Sequence, residues 1–168
     1  MTKILITEFI DSQSLQNINK KFDVIYKKDA WQNKDFLERE IQKFDGIIVR
    51  NKTSLDKKIL INASNLKFIG RLGVGLDNID TEYCKKNNII VQPATGMNSD
   101  SVAEYVLNSS LTLLKKTHII KEQTLQGKWP RTSIVTKELK GKTLGLIGFG
   151  DISKKVLNLV NVFDVSCI

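Results

Sequence analysis

The first ninety-odd residues repeat one cycle, an apolar run followed by a stretch with helical spacing, and this rhythm limits the fold more than any other feature. KILIT (3–7), FDVIY (22–26), DGIIVR (45–50), LKFIG (66–70) and IIVQP (89–93) are expected strands, the last closed by Pro93. Between them, Asp11 to Lys20, Asn33 to Lys43 with apolar Phe36, Leu37 and Ile41, Leu55 to Ala63, and Thr81 to Asn87 have the pattern of helices. Strands that are nearly all apolar are buried on both faces, and alternation with helices supplies the cover, which is the signature of a parallel sheet in an α/β unit. Residues 1–95 therefore form one such unit.

A different pattern follows. SDSVAEYVLNSSLTLLKKTHIIKEQTLQ carries Val102, Val106, Leu107, Leu111 and Leu114 at helical spacing, opens on a Ser101-x-x-Glu104 capping box, and is expected as one long helix ending near Gly127. KWPRTSIVTKEL is a surface arm holding Trp129 and Pro130. From Gly141 the chain turns to strand TLGLI, a glycine turn, the helix KKVLNLVNVF, and DVSCI, where a second strand begins.

Composition removes several classes. With 168 residues, 41% of them hydrophobic and 26% charged, the chain is globular, neither fibrous nor disordered. The N-terminal apolar run is too short for a signal sequence, and no stretch has the length of a membrane span. Cys84 and Cys167 have neither zinc-site spacing nor the density of a secreted disulfide framework, which fits reduced thiols in the cytoplasm, where NKT, NAS and NSS are chance matches to the glycosylation pattern. The net charge of +8 comes largely from lysine pairs scattered among Asp and Glu, such as Lys20-Lys21 and Lys85-Lys86. Such a distribution is a solvated surface, not a nucleic-acid stripe, although its overall field attracts small anions.

Three stretches carry chemistry. Gly148-Phe149-Gly150-Asp151-Ile152-Ser153 follows an apolar strand and opens a helix, so it is either a plain β-α turn or the cradle of a dinucleotide pyrophosphate, with Ser153 where a third glycine packs helix on strand. Gly141-Lys142-Thr143 imitates the end of a Walker A loop, but Thr136 stands at its first glycine and the match fails. Gly70 to Asn78 places Gly73 and Gly75 after a buried strand, either as a bare turn or as a loop whose N–H groups face an anion. Arg50 ends another strand, as a surface residue or as the partner of a carboxylate or phosphate. In the third stretch, Gly96 to Glu104, Asn98 and Glu104 are explicable as helix-capping residues.

Taken together and in order, VRNKTSLD, NLKFIGRLGVGLDNID, IIVQPATGMNSDSVAEYVL, GKW and ELKGKTLGLIGFGDIS resemble the NAD-dependent D-2-hydroxyacid dehydrogenases, most closely the D-3-phosphoglycerate dehydrogenase branch. The resemblance implies a flavodoxin-like substrate domain over 1–95, then a linking helix, arm and first β-α-β part of an incomplete Rossmann NAD-binding domain over 96–168. It implies that Arg50, Asn51, the backbone of Gly73, Val74 and Gly75, and Asn98 face a small anionic D-2-hydroxy acid. It further implies that Gly148, Gly150, Asp151, Ile152 and Ser153 hold the pyrophosphate of NAD. Residues 100–168, including the long helix, are the expected homodimer surface, and neither nucleic acid, membrane nor metal is an expected partner. The chain departs from the family at Asn51, where serine is usual, at Asp100, where arginine is frequent, and at Ser153.

The ribose-binding acid belongs about 20 residues beyond the fingerprint, past Ile168. The family's catalytic arginine, glutamate and histidine lie further still, and no residue matches them. His118, the only histidine, sits on the long helix or its tail and is no substitute. The expectation is a front portion of a dehydrogenase, inactive alone, binding NAD weakly or not at all; the alternative is a catalytically empty anion-binding or dimerisation module.

Overall fold

In a computed structural model describing residues 1–168, the apolar runs of the first half become five strands joined by helices. The order along the chain is β1 (Lys3–Ile6), α1 (Ser12–Asn19), β2 (Asp23–Tyr26), α2 (Lys34–Glu40), β3 (Gly46–Val49), α3 (Lys57–Leu60), β4 (Phe68–Arg71), α4 (Thr81–Lys86) and β5 (Ile90–Pro93). Each helix begins where a short acceptor side chain satisfies an orphan N–H. Asp11 accepts from Ser14 at 2.9 Å, Asn33 from Phe36 at 2.9 Å, Asp56 from Ile59 at 3.2 Å and Asp80 from Tyr83 at 2.9 Å.

All strand pairs are parallel, in the order β2-β1-β3-β4-β5. This is the flavodoxin-like order, in which the chain leaves β1 to one side and resumes at β3 on the other. The period-two alternation of strands divides the core. Leu5, Ile47, Val49 and Ile69 pack with Leu37, Ile41, Ile59 and Leu60 on one face. Ile4, Ile6 and Ile48 pack with Leu15, Ile18 and Phe22 on the other. Both faces being covered explains why the strands read as continuous apolar runs, each large buried side chain contributing roughly 1.5–3 kcal/mol.

Three local differences from expectation have physical causes. The helix expected over Leu55 to Ala63 is α only from Lys57 to Leu60, because Asp56 is its cap and Leu55 instead bridges Ile79. The segment from Asn33 to Lys43 tightens to a 3₁₀ turn over Ile41–Lys43. A further 3₁₀ turn, Ala30–Gln32, has no periodic signal in so short a span.

The chain divides into two compact units, Met1–Thr95 and Gly96–Ile168. The second contains α5 (Ser99–Lys115), α6 (Thr117–Leu125), β6 (Thr143–Leu144), α7 (Asp151–Asn161) and β7 (Ser166–Cys167). β6 and β7 are parallel and joined by α7, a β-α-β element whose ladder continues as the Leu146 N–H donates to the Ile168 carbonyl at 2.7 Å. Ala103, Leu139, Val156, Val160 and Val165 form its core, with Val106, Leu107, Leu111 and Leu114 packed against them. Lys155 on α7 pairs with Asp100 on α5 at 2.6 Å.

The single long helix is corrected to two. Lys116 is left-handed at φ 53°, its N–H closes α5 on Thr112, and its carbonyl accepts from Ile119 and Ile120 as α6 begins. The Ser101-x-x-Glu104 capping box is likewise not formed, since α5 starts earlier, after a turn at Gly96 (φ 77°) to which the Ser99 hydroxyl bonds at 2.7 Å. α7 also starts before its expected lysines, at Asp151. No helix is long and apolar enough to cross a membrane.

Candidate functional site

The ends of β3 and β4 lie side by side, because Val49 pairs with Arg71 and the Leu72 N–H donates to the Val49 carbonyl at 2.9 Å. Arg50 and Asn51 therefore leave the sheet beside Gly73, Val74 and Gly75, at the carboxyl edge where open α/β sheets bind ligands. Asn78 ties the two loops together, its amide donating to the carbonyls of Arg50 (2.9 Å) and Thr53 (2.6 Å). Arg50, Asn51, Val74 and Gly75 are exposed there.

Glu8 explains how the first loop holds its shape. It lies just past β1, only 4% exposed, and its carboxylate accepts from the N–H groups of Arg50 (2.8 Å), Lys52 (3.1 Å) and Thr53 (2.9 Å) and from the Thr53 hydroxyl (2.8 Å). Thr7 and Thr53 share a further buried hydroxyl contact at 2.8 Å. Burial alone would raise the Glu8 pKa, but the bonds from Thr53, Arg50 and Lys52 together outweigh it and hold the carboxyl below its ordinary range. Sequence reasoning passed over Glu8; its one signal is an acid directly after a buried strand.

At the carboxyl ends of β2, β1 and β3, where the strand order reverses, lies a cleft of about 280 Å³ lined by Phe9, Lys28, Asp29 and Trp31 together with Glu8, Arg50, Asn51 and Lys52. Lys52 stands over the Trp31 ring, 4.5 Å from its centroid. Three cations face Asp29 and a Glu8 carboxylate already committed to four donors, so the cleft favours a small anion.

The second loop depends on glycine. Gly73 has φ 156°, and a Cβ there would collide with Nη1 of Arg71, which folds back to donate to the Leu72 carbonyl at 2.9 Å. The Arg71 Nε is buried without an acceptor. The Val74 and Gly75 amides have no backbone acceptor within this unit, which leaves them free for an anion.

Asn98 belongs to the second unit, exposed at the start of α5, and its side chain makes no capping bond. Gly148 (φ 92°) makes the fingerprint turn and Gly150 caps α7, whose first intrahelical bond runs from Lys154 to the Gly150 carbonyl. The amides of Asp151, Ile152 and Ser153 thus point out of the helix end, the arrangement that seats a phosphate. Nothing lies within 4 Å of where a Cβ of Gly148 or Gly150 would stand. Ser153 donates its hydroxyl to the Gly148 carbonyl at 2.8 Å and closes the turn from inside. A groove of about 460 Å³ lined by Leu146, Phe149, Leu157 and Ile168 adjoins the turn, apolar enough for an adenine ring. These residues fit a dinucleotide, and the Asp151 carboxylate occupies the same helix end, where its charge opposes a phosphate. His118 is exposed on α6, and no cluster of metal-ligating side chains is present.

Known proteins share this sequence pattern and fold. The family model for the D-isomer specific 2-hydroxyacid dehydrogenase catalytic domain matches residues 4–148. The (S)-sulfolactate dehydrogenase of Chromohalobacter salexigens is 38% identical over 154 residues, covering 92% of this chain and 50% of that protein. The D-3-phosphoglycerate dehydrogenase of Archaeoglobus fulgidus is 31% identical over 166 residues, 99% of this chain and 31% of its own length. In fold, the NADPH-dependent glyoxylate/hydroxypyruvate reductase of Sinorhizobium meliloti, solved with NADP and malonate, superposes with a TM-score of 0.82 at 22% identity, covering 99% of this chain and 52% of that one. The chain spans half or less of the length of these two curated relatives. It belongs to the D-isomer specific 2-hydroxyacid dehydrogenase family.

Proposed function

We propose that this chain is part of an oxidoreductase that moves hydride between a nicotinamide cofactor, NAD in our reading, and a D-2-hydroxy acid bearing a second acidic group, such as 3-phosphoglycerate. The observation that carries the substrate class is the cleft at the carboxyl ends of β2, β1 and β3, where Lys28, Arg50 and Lys52 outnumber the one acid left uncommitted, Asp29. A phosphate or sulfonate suits such a cluster better than the methyl group of lactate does. In support, one relative is named for sulfolactate and another for phosphoglycerate.

Within this reading the chain's own residues bind and orient. Arg50 and Lys52 hold the second acid group, while the Val74 and Gly75 amides hold the 2-hydroxy acid portion. The amides of Asp151 to Ser153 face the pyrophosphate. A bound nicotinamide supplies the acceptor or donor for hydride. The hydroxyl proton must leave with it to a base, and we assign that base to residues outside this chain, so the 168 residues alone turn nothing over. We also propose a cytoplasmic homodimer built through residues 100–168; exposed Tyr105, Leu113, Leu125 and Trp129 and the two free thiols support this.

A second reading, a catalytically empty anion-binding or pairing module, is favoured by Asp151, whose charge opposes pyrophosphate at the helix end. Calorimetry of the purified chain separates the readings' shared part from the rest. 3-Phosphoglycerate should bind at least about tenfold more tightly than D-lactate, a difference of one charged contact. Equal binding of the two acids would refute the substrate class. NADH formation above background from the chain alone would refute the assignment of the base elsewhere.

A further inference from the structure

We propose that Glu8 is the positioning residue of the anion cleft, the group that fixes where Arg50, Asn51 and Lys52 stand. The inference rests on the reading above only for what the loop binds; the hold on the loop is argued from geometry.

The N–H groups of Arg50, Lys52 and Thr53 converge on one point, as backbone amides do around a bound anion. Here the protein fills that nest with its own carboxylate, brought there because β1 and β3 are neighbours in the sheet. Arg50 is pinned at both ends of its backbone unit, by Glu8 at the N–H and by Asn78 at the carbonyl. Lys52 is pinned at its N–H and its ammonium rests on Trp31. Remove the carboxylate and three converging donors lose their acceptor in a place from which water is largely excluded, where each unsatisfied group is costly. The loop must then open to find water, and the cations move with it.

Neither near substitute restores the nest. Glutamine keeps the shape but offers one acceptor oxygen and an NH₂ that would face N–H donors. Aspartate keeps the charge but is one methylene short. The sign of the glutamine effect is diagnostic. Glu8→Gln removes a negative charge beside an anion site, so a purely electrostatic role predicts tighter anion binding, whereas a positioning role predicts weaker binding.

The test titrates the full chain with 3-phosphoglycerate and with sulfate, and follows amide hydrogen exchange at Arg50, Lys52 and Thr53. In Glu8→Gln and Glu8→Asp, affinity should fall about tenfold or more and those three amides should exchange faster, while the amides of Ile47 to Val49 in β3 stay protected and report an intact sheet. Thr53→Val, a milder change that removes one donor and spares the fold, should weaken binding in the same direction by a few-fold. Arg50→Met should weaken binding with no change in exchange. Unchanged or tighter binding in Glu8→Gln overturns the proposal, as does unchanged exchange at the three amides. Should Arg50→Met bind like the wild type, the anion reading of the loop fails, and the exchange arm still decides whether Glu8 holds it.

Discussion

Replacing Gly73 by alanine should damage the chain in a way that Gly75→Ala does not. At Gly73 the backbone has φ 156°, and the added Cβ would collide with Nη1 of Arg71. The cost has two parts. The backbone conformation disfavours a side chain by roughly 1–3 kcal/mol. Displacing the guanidinium also breaks its bond to the Leu72 carbonyl, 2.9 Å long and partly open to solvent, worth on the order of 0.5–1 kcal/mol after screening. A total of about 1.5–4 kcal/mol is expected. At Gly75 the Cβ would meet only Asp77 Oδ2, at 3.0 Å and on a short side chain beside an exposed residue, so less than about 1 kcal/mol should be lost there. Denaturation followed by the amide signals of β3 and β4 would compare both variants with the wild type. The Arg71→Ala background completes a double-mutant cycle: there Gly73→Ala should retain its conformational cost and lose the collision. Equal stability of Gly73→Ala and Gly75→Ala would refute the account of this loop, and so would an unchanged Gly73→Ala cost in the Arg71→Ala background.

Three further predictions are independent of that loop. The Glu8 pKa is depressed below its ordinary 4.5; the stability it confers is therefore complete above that value and lost only as pH falls through the lower folded value, so exchange protection of the Thr53 amide should persist to pH 5, and loss centred above 4.5 would contradict the direction. Asp151→Asn removes a carboxylate from the helix end that should face pyrophosphate, and affinity for NAD measured by calorimetry should rise roughly two- to fivefold; unchanged or weaker binding would argue against pyrophosphate at that site. Burial, with a smaller contribution from the charge of Asp80, pushes the Cys84 thiol up to about 11, so a thiol reagent at pH 8 should modify Cys167 in the native chain and Cys84 only after unfolding. Rapid loss of both thiols would show that Cys84 is not enclosed.

The strands of the first unit were legible because burial on both faces leaves few polar residues inside KILIT or DGIIVR, and most helix starts were legible, at Asp11, Asn33 and Thr81. The shared edge of Arg50 and Gly73 follows from parallel strands, which all end on one side, but their adjacency needed the β3-β4 pairing. The break at Lys116 was illegible, since lysine carries no left-handed signature and the apolar pattern runs on past it. Leu55 has the residue type of a helix start yet is held by backbone bonds to Asn78 and Asp80, partners more than twenty residues away. Glu8 was hidden for the same reason: its partners are backbone amides of Arg50, Lys52 and Thr53, and no spacing of side chains announces them. The roles given to Asn98 and Asn51 came from family resemblance, not from any pattern in the chain.

The central claim is that a small acid with two anionic groups binds at the carboxyl edge of the first unit's sheet, from the cleft beside Arg50 and Lys52 across to the glycine loop. Titrating isotope-labelled chain with 3-phosphoglycerate and mapping amide shifts tests this most directly. The account predicts saturable shifts at Asn51, Lys52, Val74 and Gly75, with little change at the opposite edge around Asp23, Gly46 and Phe68. Shifts confined to that opposite edge, or scattered over the lysine pairs without saturation, would contradict it.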